Sequence, residues 1–212
     1  VTHIAYRAFY KCESLTSVII SEGVESIGRE AFYECKYLAQ ISLPDTMTSI
    51  GNSAFYDCNA LVSVVIPGSV SHIGASAFYE CDRLERIELK EGITSIGDRA
   101  FSSCAALKNI TLPSTLRTIG EYAFACCYAL ESVSIPEGVT TISYGAFAYC
   151  YALRNISLPS TLTEIGSWAF YSNSVQFVMI PESVTTIGEY AFYGCTSLTS
   201  VTVLNPTPPT LG

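Results

Sequence analysis

The side chains in this chain able to do chemistry are nine cysteines, two histidines and nineteen acidic residues, and their spacing decides their use. A zinc site or a disulfide framework would bring thiols together in close pairs such as C-x-x-C. Instead Cys12, Cys35, Cys58, Cys81, Cys104, Cys127, Cys150 and Cys195 share one position of a recurring unit, with Cys126 the extra one. Asn173 stands where a further thiol would fall, so the thiol is replaceable. Such a ladder reads as buried thiols acting as small hydrophobes. Pairing between adjacent units is the rival reading, which an odd total does not favour. His3 and His72 each precede a repeated Ile in a turn, so neither a metal cluster nor a Ser/His/Asp nucleophile is expected. Glu22, Glu91, Glu137 and Glu182 fall in repeat turns and would line one solvated edge. No catalysis, cofactor or metal is expected.

The beat that places these residues is Ala-Phe-x-x-Cys-x-x-Leu, as at Ala31, Phe32, Cys35 and Leu38. Ala-Phe pairs recur from Ala8-Phe9 to Ala191-Phe192 every 23 residues, with one final step of 22. A period of this size marks a solenoid, whose units are too small to bury an apolar face alone and must stack on one another. The composition is 49% hydrophobic and 14% charged. No apolar run reaches the roughly 18 residues that would span a membrane, so membrane insertion is not expected. Net charge is −8 and the few Lys and Arg are scattered, whereas nucleic acid would need a basic stripe.

One unit shows the physics. Leu38, Ile41 and Leu43 alternate with Gln40 and Ser42 until Pro44 ends the run, which is a short strand. From Gly51 to Cys58 the apolar residues take helical spacing: Ile50, Ala54, Phe55 and Cys58 share a side while Asn52, Ser53 and Tyr56 face away. The spacing predicts a short helical turn, ordered only because Phe55 is pressed into the core. Strands that recur once per unit in one direction must pair in parallel. The expectation is one solenoid over residues 1–203, followed by a Pro-rich tail or linker at 204–212. From Pro113 through Pro159 the turn alternates between Pro-Ser-Thr-Leu and Pro-Glu-Gly-Val, which hints at a doubled unit.

Ile-Pro-Glu-Gly-Val-Thr-Thr-Ile at 135–142 and Ala-Phe-Tyr-Gly-Cys-Thr-Ser-Leu at 191–198 resemble the BspA-like (Treponema-type) leucine-rich repeats, over essentially Val1 to Val203. The resemblance implies an α/β repeat fold. It would be a right-handed leucine-rich repeat solenoid with a parallel, strand-lined concave face and short helical turns on the convex face. It also implies a surface or secreted protein, most often of host-associated bacteria, with some members like adhesins for host matrix. Ser143 and Ala5 replace the consensus Gly, and Ser21 and Lys90 the consensus Pro, as tolerable turn changes.

A partner would meet the concave face. Its outward positions are mostly small and polar, including Asn109 with Thr111 and Asn155 with Ser157, each also matching a glycosylation triplet on a strand. Two rows depart: Arg86 with Glu88, expected to pair with each other, and Phe177 with Met179, an exposed apolar pair beside the deleted residue. The binding candidates are therefore Arg86, Glu88, Asn109, Asn155, Phe177 and Met179, for a protein partner, such as host matrix or a cell surface, or a glycan. The rival is a structural spacer that binds nothing. Tyr10, Tyr33, Tyr56 and Tyr79, resuming at Tyr171 and Tyr193, form a second column on the convex side, which stacking between units would equally explain. No capping unit closes either end, so a fragment of a longer protein, or self-association through uncapped ends, is expected.

Overall fold

The computed structural model describes residues 1–206 together with Thr210 and Leu211. Each unit contributes a long strand and a short one, and both kinds pair in parallel with their counterparts one unit along. Seven long strands, from Ser17–Ile19 to Asn155–Ser157, form one sheet in chain order, and Phe177–Ile180 with Ser200–Val203 form a separate pair. The register steps by one repeat, as in Ser63 to Arg86 to Asn109 to Ser132 to Asn155. The two-residue strands, such as His72–Ile73 and Ser95–Ile96, form a second face where the spacing predicts turn. Within the segment expected as a tail, Thr210–Leu211 pairs with Thr186–Ile187 and adds a short strand to this second face.

The third face corrects the expected helical turns: among the described residues no helix forms. Ser53 (φ 54°) and Asp57 (φ 56°) lie in the left-handed region, as do the equivalent residues of nearly every unit, and an α-helix cannot pass through them. The reason lies in where the amides go. Ala54 and Tyr56 donate within their own turn, to Gly51 and Ser53, whereas Ser53, Phe55 and Asp57 donate sideways to Ala75, Ala77 and Tyr79 of the next unit, each at 2.8 Å. An eight-residue helix would satisfy its amides internally and be marginal; this ladder of turns spends half of them on its neighbour. The apolar side is nevertheless as read, with Ala54, Phe55 and Cys58 fully buried.

The core is a column of stacked rings. Phe9, Phe32, Phe55, Phe78, Phe101, Phe124, Phe147, Phe170 and Phe192 follow one another at centroid spacings of 5.0 to 5.6 Å. Those from Phe32 to Phe170 are fully buried, so each ring's burial is supplied by the units on either side. Beside the rings runs the thiol ladder, which is more than a hydrophobe. Cys58 donates from Sγ to the Phe32 carbonyl at 3.2 Å, and Cys81, Cys104, Cys127 and Cys150 repeat the bond one unit along. Asn173 replaces the thiol by donating its amide to the Phe147 carbonyl at 3.1 Å, so what the position needs is a small buried donor.

Burial pushes the thiols of Cys58, Cys81, Cys104, Cys127 and Cys150 well above the ordinary range, and that of Cys35 up to about 11. Thiolate is the reacting form. In the native protein a disulfide-exchange reagent at pH 8 should therefore label the exposed Cys12 and half-buried Cys126, and reach the other seven only on unfolding. Counting thiols released before and after denaturant checks it; fast labelling of all nine would refute the ladder.

The alternating turns have a physical cause. The Glu91 carboxylate accepts from the Ser114 amide (3.0 Å), the Ser114 hydroxyl (2.9 Å) and the Thr115 amide (3.2 Å), and the Gly92 amide donates to Thr115 Oγ1 (2.9 Å). Glu137 and Gly138 meet Ser160 and Thr161 in the same way. A Glu-Gly turn thus calls for Thr in the next unit, as Gly23 with Thr46 also shows, and in two of the three cases for Ser before it; Gly92 (φ 112°) and Gly138 (φ 95°) hold backbone that L side chains disfavour.

The Ser114 and Ser160 amides, with their hydroxyls, hold Glu91 and Glu137 below the usual carboxylate range. A depressed folded-state pKa contributes stability above the unfolded value, near 4.3 for Glu, and loses it as pH falls through the folded value. Melting temperature should fall below about pH 4, and Glu91→Gln with Glu137→Gln should flatten that part of the profile.

The short-strand sheet is interrupted between Thr118–Ile119 and Thr141–Ile142. Elsewhere a Gly amide donates to the Ile carbonyl of the unit before, as Gly120 does to Ile96 at 2.8 Å. Ser143 occupies that Gly position and reaches the Ile119 carbonyl with its hydroxyl instead. The contact survives and the backbone ladder does not.

Candidate functional site

The long-strand face carries every candidate residue. Strands place i and i+2 on the same side, so in Arg86–Leu89 the residues Ile87 and Leu89 enter the core while Arg86 and Glu88 face out. Parallel pairing then sets Ser63, Arg86 and Asn109 abreast in one row, and Val65, Glu88 and Thr111 in the next. These six line a shallow depression of about 350 Å³. Of the candidates, Arg86, Glu88 and Asn109 are thus brought together.

The expected Arg86–Glu88 pair does not form. Glu88 takes Lys90, two residues further on the same side, and Arg86 has no ion pair among the described residues. Lys90 stands where the consensus has Pro, and that change supplied the closer cation. Arg86 is left presenting its fork of donors to whatever enters. Val65, 47% exposed, adds an apolar wall that reading the charged row alone would miss.

Asn155 is exposed two strands beyond Asn109, outside this depression. Phe177 and Met179 lie across the break in the sheet and are 58% and 62% exposed. The break follows from the shortened unit: between Asn155–Ser157 and Phe177–Ile180 the ladder is not bridged. Beside the break, Ile156 and Leu158 are partly uncovered, as Ile41 and Leu43 are, whereas Ile87 and Leu89 are buried. They join Met179, Pro181 and Leu204 around a second recess of about 360 Å³, with Ser157, Ser160 and Glu137 on its rim. The step of 22 residues was the signal for this recess, but its apolar lining could not be read from spacing.

On the turn face Tyr10, Tyr33, Tyr56 and Tyr79 stack at 5.0, 4.5 and 4.9 Å, as stacking between units implies. Among the described residues no group of three His, Cys, Asp or Glu is placed to hold a metal, and no helix is long and apolar enough to cross a membrane.

A solenoid of about nine parallel units, with Leu, Ile and Phe at fixed positions of each, defines the leucine-rich repeat class, whose members are generally non-catalytic scaffolds. Profile comparison matches the BspA type leucine rich repeat region to residues 2–131 and 117–207, and the chain belongs to that family. A leucine-rich repeat protein from Bacteroides ovatus is similar in structure, with a TM-score of 0.84 and 31% identity over 96% of this chain; the match spans 64% of that protein. A leucine rich cell surface protein from Faecalibacterium prausnitzii is 28% identical, with a TM-score of 0.58 over 96% of this chain and 77% of its own. The leucine rich repeat protein of T. pallidum is 28% identical, with a TM-score of 0.54 over 94% and 72%. No curated protein sequence matches.

Proposed function

We propose that this chain is a non-catalytic interaction module of a bacterial surface or secreted protein, and that it binds a protein partner on its long-strand face. The observation that carries the reading is Phe177 with Met179, two large apolar side chains more than half exposed beside an apolar recess, on a face whose other outward residues are mostly small and polar. Burying them against a partner recovers the free energy their exposure forgoes, and such anchors dominate interfaces. Arg86, with no ion pair among the described residues and in its own depression about four strand spacings or roughly 20 Å away, supplies a second, polar contact. The surface placement is supported by the description of the F. prausnitzii relative as a cell surface protein.

The double variant Phe177→Ala, Met179→Ala should weaken binding to immobilised extracellular-matrix protein by roughly thirtyfold, the scale of losing an interface hot spot. Its melting curve should hardly move, because neither side chain belongs to the core. Unchanged binding in this variant and in Arg86→Ala would favour a spacer that binds nothing itself.

A further inference from the structure

We infer that the turn face of the last four units is a second binding site, an aromatic platform for a neutral glycan. The evidence is a change of chemistry at fixed positions. Just before Ala-Phe, two residues after Phe, and just after Cys, the first five units carry a charge at ten of fifteen places, among them Arg7, Glu30, Lys11, Glu34, Asp57 and Lys36, and no aromatic residue. These form ion pairs across units: Arg7 with Glu30, Lys11 with Glu34, Lys36 with Asp57. From the sixth unit onward six of the same twelve places are aromatic, Tyr122, Tyr128, Tyr149, Tyr151, Trp168 and Tyr190, the rest are small or uncharged, and none is charged.

The core does not ask for these rings. Tyr128, Tyr151 and Tyr190 are 47%, 55% and 52% exposed, and Tyr193 beside them 59%. Tyr149 (φ 61°), Trp168 (φ 61°) and Tyr190 (φ 58°) sit in left-handed backbone, where Gly145 and Gly194 stand at equivalent positions and a bulky residue is disfavoured. The rings touch one another continuously: Trp168 stacks on Tyr171 at 4.3 Å, Tyr171 on Tyr193 at 5.2 Å, and Tyr190 meets Tyr193 edge-on at 5.5 Å. Tyr149 bridges Tyr171 and Tyr151, and Tyr151 stacks on Tyr128. The next unit carries Ser174 where Tyr151 stands, so no further ring continues that stack.

A contiguous exposed aromatic patch marks an interaction site. Its chemistry selects the occupant. A pyranose ring has a C–H face that packs on an aromatic ring and a rim of hydroxyls that tyrosine hydroxyls can bond, each partner being apolar on its body and polar at its edge. Nucleic acid would need cations that these positions lack, in a chain of net charge −8. Protein interfaces also enrich Tyr and Trp, but they add Met and Arg anchors, and the three positions carry neither in these units.

Trp168 is the only tryptophan, so its emission reports this site directly. Titration with neutral linear oligosaccharides of glucose, mannose and N-acetylglucosamine should give a saturable change in that emission for at least one of them at millimolar concentration. Tyr151→Ala and Tyr190→Ala should each weaken it about tenfold, the scale of one lost aromatic stack, with the melting temperature unchanged. Phe177→Ala should leave it intact, which separates this site from the long-strand face. No saturable change with any of the three sugars, or full affinity in folded Tyr151→Ala and Tyr190→Ala, would overturn the proposal.

Discussion

Phe101→Ala should lower the stability of the protein by about 3–5 kcal/mol, the cost of emptying a fully buried phenylalanine site. Phe101 is 0% exposed and lies between Phe78 at 5.4 Å and Phe124 at 5.5 Å, so its removal takes away a face of each neighbour's packing as well as its own. Contacts in a solenoid run between adjacent units, and a defect in the middle divides the stack. Urea unfolding monitored by circular dichroism should show an earlier midpoint and a broadened or double transition. Phe9→Ala is the control: Phe9 is 41% exposed and has one ring neighbour, so its loss should cost far less. Equal costs at the two positions would mean that stacking is not what orders the units.

Gly97→Val should cost about 1–3 kcal/mol or more, as overpacking does where backbone has to move. A Cβ at Gly97 would lie 2.7 Å from the Ala75 nitrogen, 2.8 Å from the Ile73 oxygen and 2.9 Å from the Gly74 carbonyl carbon, none of which can swing aside like a side chain. The hydrogen bond that the Gly97 amide donates to the Ile73 carbonyl, 2.9 Å, would be lost with it. Gly97→Ser should be milder, because Ser143 shows that a hydroxyl at this position can take over the Ile carbonyl while the short-strand pairing lapses. Thermal melts of the two variants side by side test this; Val tolerated as well as Ser would contradict the close approach.

Much of this molecule is legible as periodicity. The burial of Phe55, Ala54 and Cys58 and the outward row of Arg86, Asn109 and Asn155 follow from which residues recur, since equivalent residues must stack. The helical turn failed because spacing reports which side chains go inward and not where the amides donate; Ser53 and Asp57 carry no mark of their left-handed backbone. The Arg86–Glu88 pair failed for a related reason, as two cations flanked one carboxylate and reach chose Lys90. The alternating turns were visible as words, but only the bonds from Ser114 and Thr115 to Glu91 say why Glu-Gly precedes Ser-Thr.

The amino-acid order alone determined that the chain is a solenoid, which residues form its core and that eight of its thiols share one position, because a 23-residue period leaves each unit no other way to bury its Phe and Leu. The tertiary structure alone decided how the units are joined and what they present outside. Hydrogen-bond direction, the break opened by one missing residue, and contacts between rings a repeat apart depend on distances across units, and a linear pattern carries no distances.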